Sequence, residues 1–265
     1  MCLSGLLVEY NFFQHVASDI GIDQTFLPPS SYSSQDKLNY ISNWTKENMM
    51  KLNEAKCSYM VFTRTMTDFT TRLTVNNKYL ERLNVTKILG VWISEDLTWS
   101  RNCKEICKKA YSRLSMITKL KYAGVSLEDL IDIYVLFIRS ITEYCSIAFH
   151  SSLTIEDSNK LEQIQKICLK VILGDMYVSY SVALEMSGLK LLSTRRQDRC
   201  LDFARKCLKH PRNNRLFPIK NIGESDKHDI RNRETFEVNF ASGGAYKKSA
   251  IPFCQRLLNE HSQSK

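Results

Sequence analysis

Apolar residues recur at every third or fourth position through most of the chain after residue 99, which predicts a run of amphipathic helices. The first stripe stops at Gly124, and its members are Trp99, Cys103, Ile106, Ala110, Leu114 and Ile117. Further helices are predicted over residues 126–149, 154–174, 180–186, 193–210 and 249–258. Ser126 with Asp129, and Thr154 before two acidic residues, supply N-terminal capping signals for two of them.

Before residue 99 the pattern of apolar residues predicts both a helix and strands. Apolar residues three apart predict a helix over residues 35–48, whereas alternating and β-branched residues predict strands over 57–63, 71–75 and 87–93. Asn76-Asn77 between two of these strands has the composition of a turn. The predicted fold class is therefore α+β, with a small antiparallel β meander followed by a predominantly helical bundle.

These elements divide the chain into four predicted segments. Residues 1–35 read as irregular or disordered because a Pro- and Ser-rich run interrupts them. Residues 36–98 hold the first helix and the meander, and residues 99–210 form the helical domain. Residues 211–265 are predicted to be a polar C-terminal tail that ends in a short amphipathic helix.

The charge balance favours a polyanionic partner. The 265 residues carry a formal net charge of +9, while the apolar and charged fractions of 43% and 25% are those of an ordinary globular protein. Nucleic acid and an anionic membrane both fit the charge, and so does a protein with no such partner. Apolar runs such as 131–148 contain charged residues, so no membrane span is expected, and without a secretory leader we expect an intracellular protein, cytoplasmic or nuclear.

Known catalytic and metal-binding motifs are absent from the sequence. Cys103 with Cys107, and Cys200 with Cys207 and His210, do not have the paired spacing of a zinc site, and core packing is the expected role of these thiols. The chain has no phosphate-binding glycine loop and no adjacent pair of aspartates for two-metal catalysis. We therefore expect no enzymatic activity, no cofactor and no metal.

Several short segments together resemble a known family. They are Ile41-Ser42-Asn43-Trp44, Asn48-Met49-Met50-Lys51-Leu52-Asn53, Lys56-Cys57, Ile88-Leu89-Gly90-Val91-Trp92-Ile93-Ser94, Leu97-Thr98-Trp99, Tyr134, Phe137-Ile138-Arg139-Ser140, Glu143-Tyr144, Leu161-Glu162, Ile164-Gln165-Lys166, Gly188-Leu189, Leu192, Arg195-Arg196 and Lys248-Ser249-Ala250-Ile251-Pro252. In this order and approximate spacing, residues 36–258 resemble the C-terminal part of the reverse transcriptase of non-LTR retrotransposons of the LINE kind.

The resemblance implies the end of the polymerase palm, a primer-contacting hairpin and a helical thumb. In the family a Tyr-x-Asp-Asp turn holds catalytic magnesium, but the nearest local match is Tyr10-Asn11-Phe12-Phe13, whose phenylalanines cannot ligate a cation. Lys56 would be a vestigial palm lysine, or simply a solvated lysine before a strand. The residues that would contact nucleic acid are Leu89, Gly90 and Val91 of the hairpin and Lys104, Lys108, Arg113, Arg195, Arg196 and Arg199 of the thumb.

Structural roles remain open for the same residues, since Leu89 and Val91 also suit a strand core and each basic residue also suits a solvated helix face. The resemblance implies a reverse-transcriptase-like chain that at most binds nucleic acid. A protein-interaction module and a non-catalytic part of an active polymerase are the alternatives. Residues near 89–100 also resemble a short module at the N-terminus of AlkB-type proteins, but the sequence lacks the motifs for that chemistry.

Overall fold

The computed structural model describes residues 33–50, 52–62, 72–211, 213–220, 236–238 and 244–262. The chain divides into two compact units, one ending at Leu97 and the other beginning at Thr98. Helices dominate and the strands form small pairs, so the predicted α+β class is confirmed. Most of the predicted irregular segment 1–35, up to residue 32, lies outside the described residues.

The described residues of the first unit form one long helix and six short strands. Helix α1 spans Ser34–Glu47, and a capping box between Ser33 and Asp36 satisfies its first backbone amides. The strands are β1 (Ser58–Tyr59), β2 (Thr74–Val75), β3 (Lys78–Tyr79), β4 (Glu81–Arg82), β5 (Val85–Ile88) and β6 (Val91–Ser94).

Two of the three strand pairs are antiparallel hairpins with two-residue turns. Asn76 and Asn77 join β2 to β3 with φ angles of 49° and 63°, the conformation for which asparagine is suited. Leu89 and Gly90 join β5 to β6 with φ angles of 47° and 88°. The predicted single strand over 87–93 is therefore wrong, because the chain reverses at its centre. The third pair, β1 with β4, is parallel rather than part of an antiparallel meander.

A side chain of helix α1 makes the hydrogen bonds to the β2–β3 hairpin that a neighbouring strand would make. The Gln35 Oε1 atom accepts a hydrogen bond from the Thr74 backbone N–H at 2.9 Å, and Gln35 Nε2 donates to the Thr74 carbonyl at 2.8 Å. One residue thus satisfies both backbone groups of an edge strand that the short hairpin leaves unpaired.

The second unit is a helical bundle. Its elements are α2 (Ser100–Tyr122), α3 (Leu127–Ile133), a π-helical segment (Tyr134–Arg139), α4 (Ser140–Glu143), α5 (Ser146–Phe149), α6 (Ile155–Leu173), α7 (Tyr180–Ser187), α8 (Leu192–Lys209), α9 (Gly244–Lys247) and α10 (Ala250–Ser262).

The main core of this unit lies between α2 and α6. The stripe predicted on α2 faces it, with Cys103, Ala110 and Ile117 fully buried and Trp99 and Leu114 packed at its edge. Helix α6 contributes Leu161 and Ile164 among others, at the helical spacing that was predicted. The caps are also as predicted, since the side chains of Ser126 and Thr154 accept hydrogen bonds from the N–H groups of Asp129 and Asp157.

The predicted continuous helix over 126–149 is wrong. Its middle widens into the π-helical segment, and the helix stops at Tyr144 because Cys145 adopts a left-handed backbone conformation with φ of 54°. Neither glycine nor proline marks the break, so the sequence carried no stop signal. Side chains hold the carbonyls of the π-segment, with Ser140 donating to Leu136 O and Thr142 to Arg139 O.

The C-terminal helix α10 covers the region where 249–258 was predicted to be helical, but it is not part of a separate tail. Cys254, Leu257 and Leu258 are buried against α8 in a second apolar cluster that also contains Phe217. Most of the loop between Phe217 and α9 lies outside the described residues.

A buried polar network joins α6 to α8. Gln165 on α6 is fully buried, accepts a hydrogen bond from Tyr134 Oη at 2.7 Å, and donates to Tyr180 Oη and the Lys190 carbonyl at 3.0 Å each. One turn earlier, the Glu162 carboxylate accepts hydrogen bonds from Tyr180 Oη and from two backbone N–H groups at the start of α8, those of Leu192 and Ser193.

Helix α8 has no capping side chain of its own at Leu191, so Glu162 supplies the cap from another helix. This contact fixes where α8 begins relative to α6. It thereby determines where the arginines of α8 project.

Among the described residues, no single helix is long and apolar enough to cross a membrane; Ile155–Met176 and Tyr180–Ser187 meet that test only as a pair bent by 84°.

Replacing Gln165 with Leu tests the importance of the network. The substitution leaves Tyr134 Oη and the Lys190 carbonyl without this partner in a buried site, so we expect a loss of about 3 kcal/mol in the free energy of unfolding. Chemical denaturation measures the effect. Gln163→Leu, on the exposed face of the same helix, is the matched control and is expected to change stability by less than about 0.5 kcal/mol. Similar losses in both variants would contradict the role assigned to Gln165.

Candidate nucleic-acid interface

Helix α2 carries a strongly basic exposed surface. Its 23 residues include seven Lys or Arg and one acid, Glu105, which pairs with Arg101 at 3.3 Å. Lys104, Lys108 and Lys119 are exposed and lie within about 60° of one another around the helix axis, on the side opposite the core stripe. We call these three residues the α2 basic face. Within the described residues, none of the three forms an ion pair.

Arg113 lies on the same helix but has a structural contact. Its Nη1 atom donates a hydrogen bond to the Phe137 carbonyl of the π-helical segment at 2.8 Å. Widening of the helix alters the normal backbone hydrogen bonding there, and Arg113 supplies a donor to that segment. Arg113, which was predicted to contact nucleic acid, is therefore exposed, but one of its nitrogens already binds the π-helical segment.

Arg195 and Arg199, predicted to contact nucleic acid, instead converge on a buried carboxylate. Glu143 is 5% exposed, and its Oε2 atom accepts hydrogen bonds from Arg195 Nη2 at 3.1 Å and Arg199 Nη1 at 2.8 Å. Arg195 Nε donates to the other carboxylate oxygen, making a bidentate pair. Arg139, one turn before Glu143, lies 3.9 Å from the same oxygen.

The titration behaviour of this cluster follows its charges. Burial alone raises the pKa of Glu143, but the hydrogen bond and charge of Arg195, with Arg139 and Arg199, more than offset it and the pKa lies below its ordinary value. Burial and then repulsion from Arg195 lower the pKa of Arg139. One carboxylate thus faces three guanidinium groups, and the cluster keeps an excess of positive charge.

The prediction that Arg196 contacts nucleic acid is wrong. Its side chain is fully buried, whereas a phosphate backbone reaches only the surface. Arg196 Nη2 donates to Ser158 Oγ at 3.0 Å, and Arg196 Nε donates to His150 Nδ1 at 3.4 Å. Burial and the charge of Arg196 lower the pKa of His150 to about 4, so at neutral pH the imidazole is uncharged and can accept this hydrogen bond.

Lys56 and the hairpin residues that were predicted to contact nucleic acid lie in the first unit. Lys56 is exposed and precedes β1, in keeping with the solvated alternative. Leu89 and Gly90 form the turn between β5 and β6, with Leu89 72% exposed, while Val91 is buried at the start of β6. These residues therefore form a hairpin, in which Val91 has the strand-core role that was its alternative and Leu89 does not.

The cysteines and histidines show no metal centre in the part of the chain that the structure describes, where no three His, Cys, Asp or Glu residues are arranged to hold an ion. Cys103, Cys200 and Cys207 are buried in apolar clusters. Burial raises the pKa of Cys103 to about 12, as expected for a thiol that acts as a small core residue.

Sequence reasoning missed Glu143 and His150 as the partners of the α8 arginines. The Glu143 pairs with Arg195 and Arg199 span 52 and 56 residues, so no local pattern joins them. The one available signal was the i,i+4 spacing of Arg139 and Glu143 on a predicted helix, which suggests an ion pair but not its burial.

Comparisons of the chain with protein-family models, with curated proteins and with solved structures give no match.

The His150–Arg196 contact predicts an acid-sensitive stability. Because the pKa of His150 lies near 4 in the folded protein and near 6.5 when unfolded, the unfolded state takes up the proton first as the pH falls. We expect neutral His150 to contribute about 2 kcal/mol to the free energy of unfolding, after allowance for its partial exposure. This contribution is complete above about pH 6.5 and is lost as the pH falls towards 4.

The test compares urea unfolding between pH 7 and pH 4 in the wild type, His150→Asn and the exposed control His261→Asn. The amide introduced by His150→Asn keeps an acceptor for Arg196 without titrating, so this variant is expected to lose less stability on acidification, whereas the control follows the wild type. Parallel pH dependence in all three proteins would rule out His150 as the cause.

Proposed function

We propose that the chain is a non-catalytic nucleic-acid-binding module, similar to the palm end, primer-contacting hairpin and thumb of a LINE-type reverse transcriptase. The α2 basic face is the observation that carries this proposal. Its lysines are exposed, aligned on one side of a 23-residue helix, and without acidic partners among the described residues. We further propose an intracellular setting and no polymerase activity, since the sequence holds no adjacent aspartates for a magnesium pair.

A helix with this arrangement suits a phosphate backbone. Lys104 and Lys119 are separated by 15 positions, or about 22 Å along the axis, which is enough to follow several phosphates. Neutralising phosphates releases counterions, so the binding would be independent of sequence and sensitive to salt. Tyr111 and Tyr122, 40% and 89% exposed on the same helix, add aromatic surface next to the lysines.

The arginines of α8 support the proposal less well. Arg195 and Arg199 are 30% and 49% exposed in their side chains, and both hold the Glu143 carboxylate. Reversing their charge would place three carboxylates together and destabilise the unit, so a loss of binding there would not identify a binding site. The exposed lysines of α2 avoid this difficulty.

The test measures binding of a labelled template–primer duplex to the full chain over a range of salt concentrations. Lys104→Glu with Lys108→Glu is expected to weaken binding by about tenfold or more and to reduce the salt dependence by roughly two phosphate contacts. Lys206→Glu with Lys209→Glu changes the net charge equally on the exposed side of α8 and serves as the control.

Equal losses from both pairs of substitutions would mean that net charge, and not the α2 basic face, attracts the nucleic acid. Tight binding that is unchanged in the α2 variant would also overturn the proposal. Circular dichroism of each variant establishes that the helices remain folded.

A protein-interaction module is the second candidate, and one observation favours it. Leu136, Phe137 and Tyr144 are 65%, 48% and 57% exposed on the π-helical segment and the turn after α4, which concentrates apolar side chains along one short stretch. A folded chain that binds no nucleic acid at any salt concentration would favour this role. A contribution to an active polymerase would require a separately supplied catalytic palm.

A further inference from the structure

Arg196 has an incomplete set of partners for a buried cation. Its side chain has 0% exposure, and its two hydrogen bonds go to neutral acceptors, His150 Nδ1 and Ser158 Oγ. The remaining nitrogen, Nη1, has no partner within the described residues. Burying a guanidinium with one donor unsatisfied costs free energy, so an acceptor bound at Nη1 is the simplest explanation.

Two further donors are unsatisfied on the segment that contacts Arg196. Ser146 Oγ and Ser151 Oγ are both buried without a partner in the described part of the chain. Ser146 begins α5 one turn before His150, and Ser151 directly follows His150. The segment that supplies His150 Nδ1 to Arg196 thus also carries two hydroxyl groups with nothing to bind.

The two carboxylates that act most strongly on Arg196, Glu162 and Glu143, are already bound by other donors. Arg139, Arg195 and Arg199 share the single carboxylate of Glu143, and both Glu162 oxygens already accept hydrogen bonds, from Tyr180 and from the start of α8. Burial lowers the pKa of Arg196 more than the charges of Glu162 and Glu143 raise it, so these carboxylates compensate the buried guanidinium only in part.

We propose that a small inorganic anion, of the size and charge of chloride, binds at Arg196 Nη1 and the hydroxyl groups of Ser146 and Ser151. All three groups can donate hydrogen bonds, and Arg196 supplies a full positive charge. A water molecule accepts at most two hydrogen bonds and must place its own protons, whereas an anion accepts from every direction. The site is separate from the α2 basic face and does not depend on nucleic-acid binding.

The experiment follows thermal unfolding of the full chain while chloride replaces gluconate at constant ionic strength. Chloride binding to the folded state is expected to raise the melting temperature saturably, by roughly 3 to 8 °C. Ser146→Ala with Ser151→Ala removes two of the donors and is expected to abolish most of the shift. Ser112→Ala with Ser115→Ala, at two exposed serines on α2, is the matched control and keeps it.

Identical melting temperatures in chloride and gluconate would overturn the proposal and leave these three donors to ordered water. A shift that survives in Ser146→Ala with Ser151→Ala would also overturn it, because the anion would then act elsewhere. Lys104→Glu with Lys108→Glu is expected to retain the shift, which separates this site from the proposed nucleic-acid surface.

Anomalous scattering from bromide in crystals of the wild-type chain gives a second readout that needs no variant to fold. A bromide peak roughly 3.3 Å from Arg196 Nη1 is the expected result. No peak at that position would contradict the proposal.

Discussion

The second unit depends on a half-buried carboxylate and a fully buried amide that lie on α6 beside its apolar stripe. Glu162 caps the start of α8, and Gln165 binds Tyr134, Tyr180 and the Lys190 carbonyl. Apolar contacts between helices tolerate small shifts, but buried polar groups lose their partners when the helices slide. This network therefore fixes the position of α8, and with it the arginines that meet Glu143 and His150.

The structure sorts the basic residues into two groups that composition alone cannot distinguish. Arg195, Arg196 and Arg199 hold the bundle together, since each bonds to a side chain on another helix or turn. Lys104, Lys108 and Lys119 remain available to solvent. Part of the positive charge of the chain is thus internal, whereas these lysines of α2 are exposed. This sorting is why the proposed function rests on lysines of one helix.

Local signals in the sequence predicted much of the fold. The α2 stripe, the caps at Ser126 and Thr154, and the turn at Asn76 and Asn77 depend on neighbours within four residues, so their patterns were sufficient. The hydrophobic pattern did not predict the turn at Leu89, because leucine rarely adopts a positive φ angle, and only the resemblance implied a hairpin there. The break at Cys145 was missed for the same reason.

The candidate site was predicted less well because its contacts join residues that are far apart in the sequence. Arg196 and Arg199 are three positions apart on a helix and read alike in the sequence, yet one is fully buried and the other is half exposed. Their difference comes from the orientation of α8, which Glu162 sets from 30 residues away. The spacing of Leu192, Cys200, Ala204 and Cys207 does place Arg196 on the buried face of α8, but an arginine is rarely expected there without a known partner.

Lysine footprinting shows which lysines a bound nucleic acid covers. The full chain is acetylated with and without a bound template–primer duplex, and mass spectrometry measures the protection of each lysine. We expect Lys104, Lys108 and Lys119 to become protected, while Lys206 and Lys209 react as before. Protection of the α8 lysines instead, or uniform reactivity despite measurable binding, would contradict the assignment of α2 as the nucleic-acid surface.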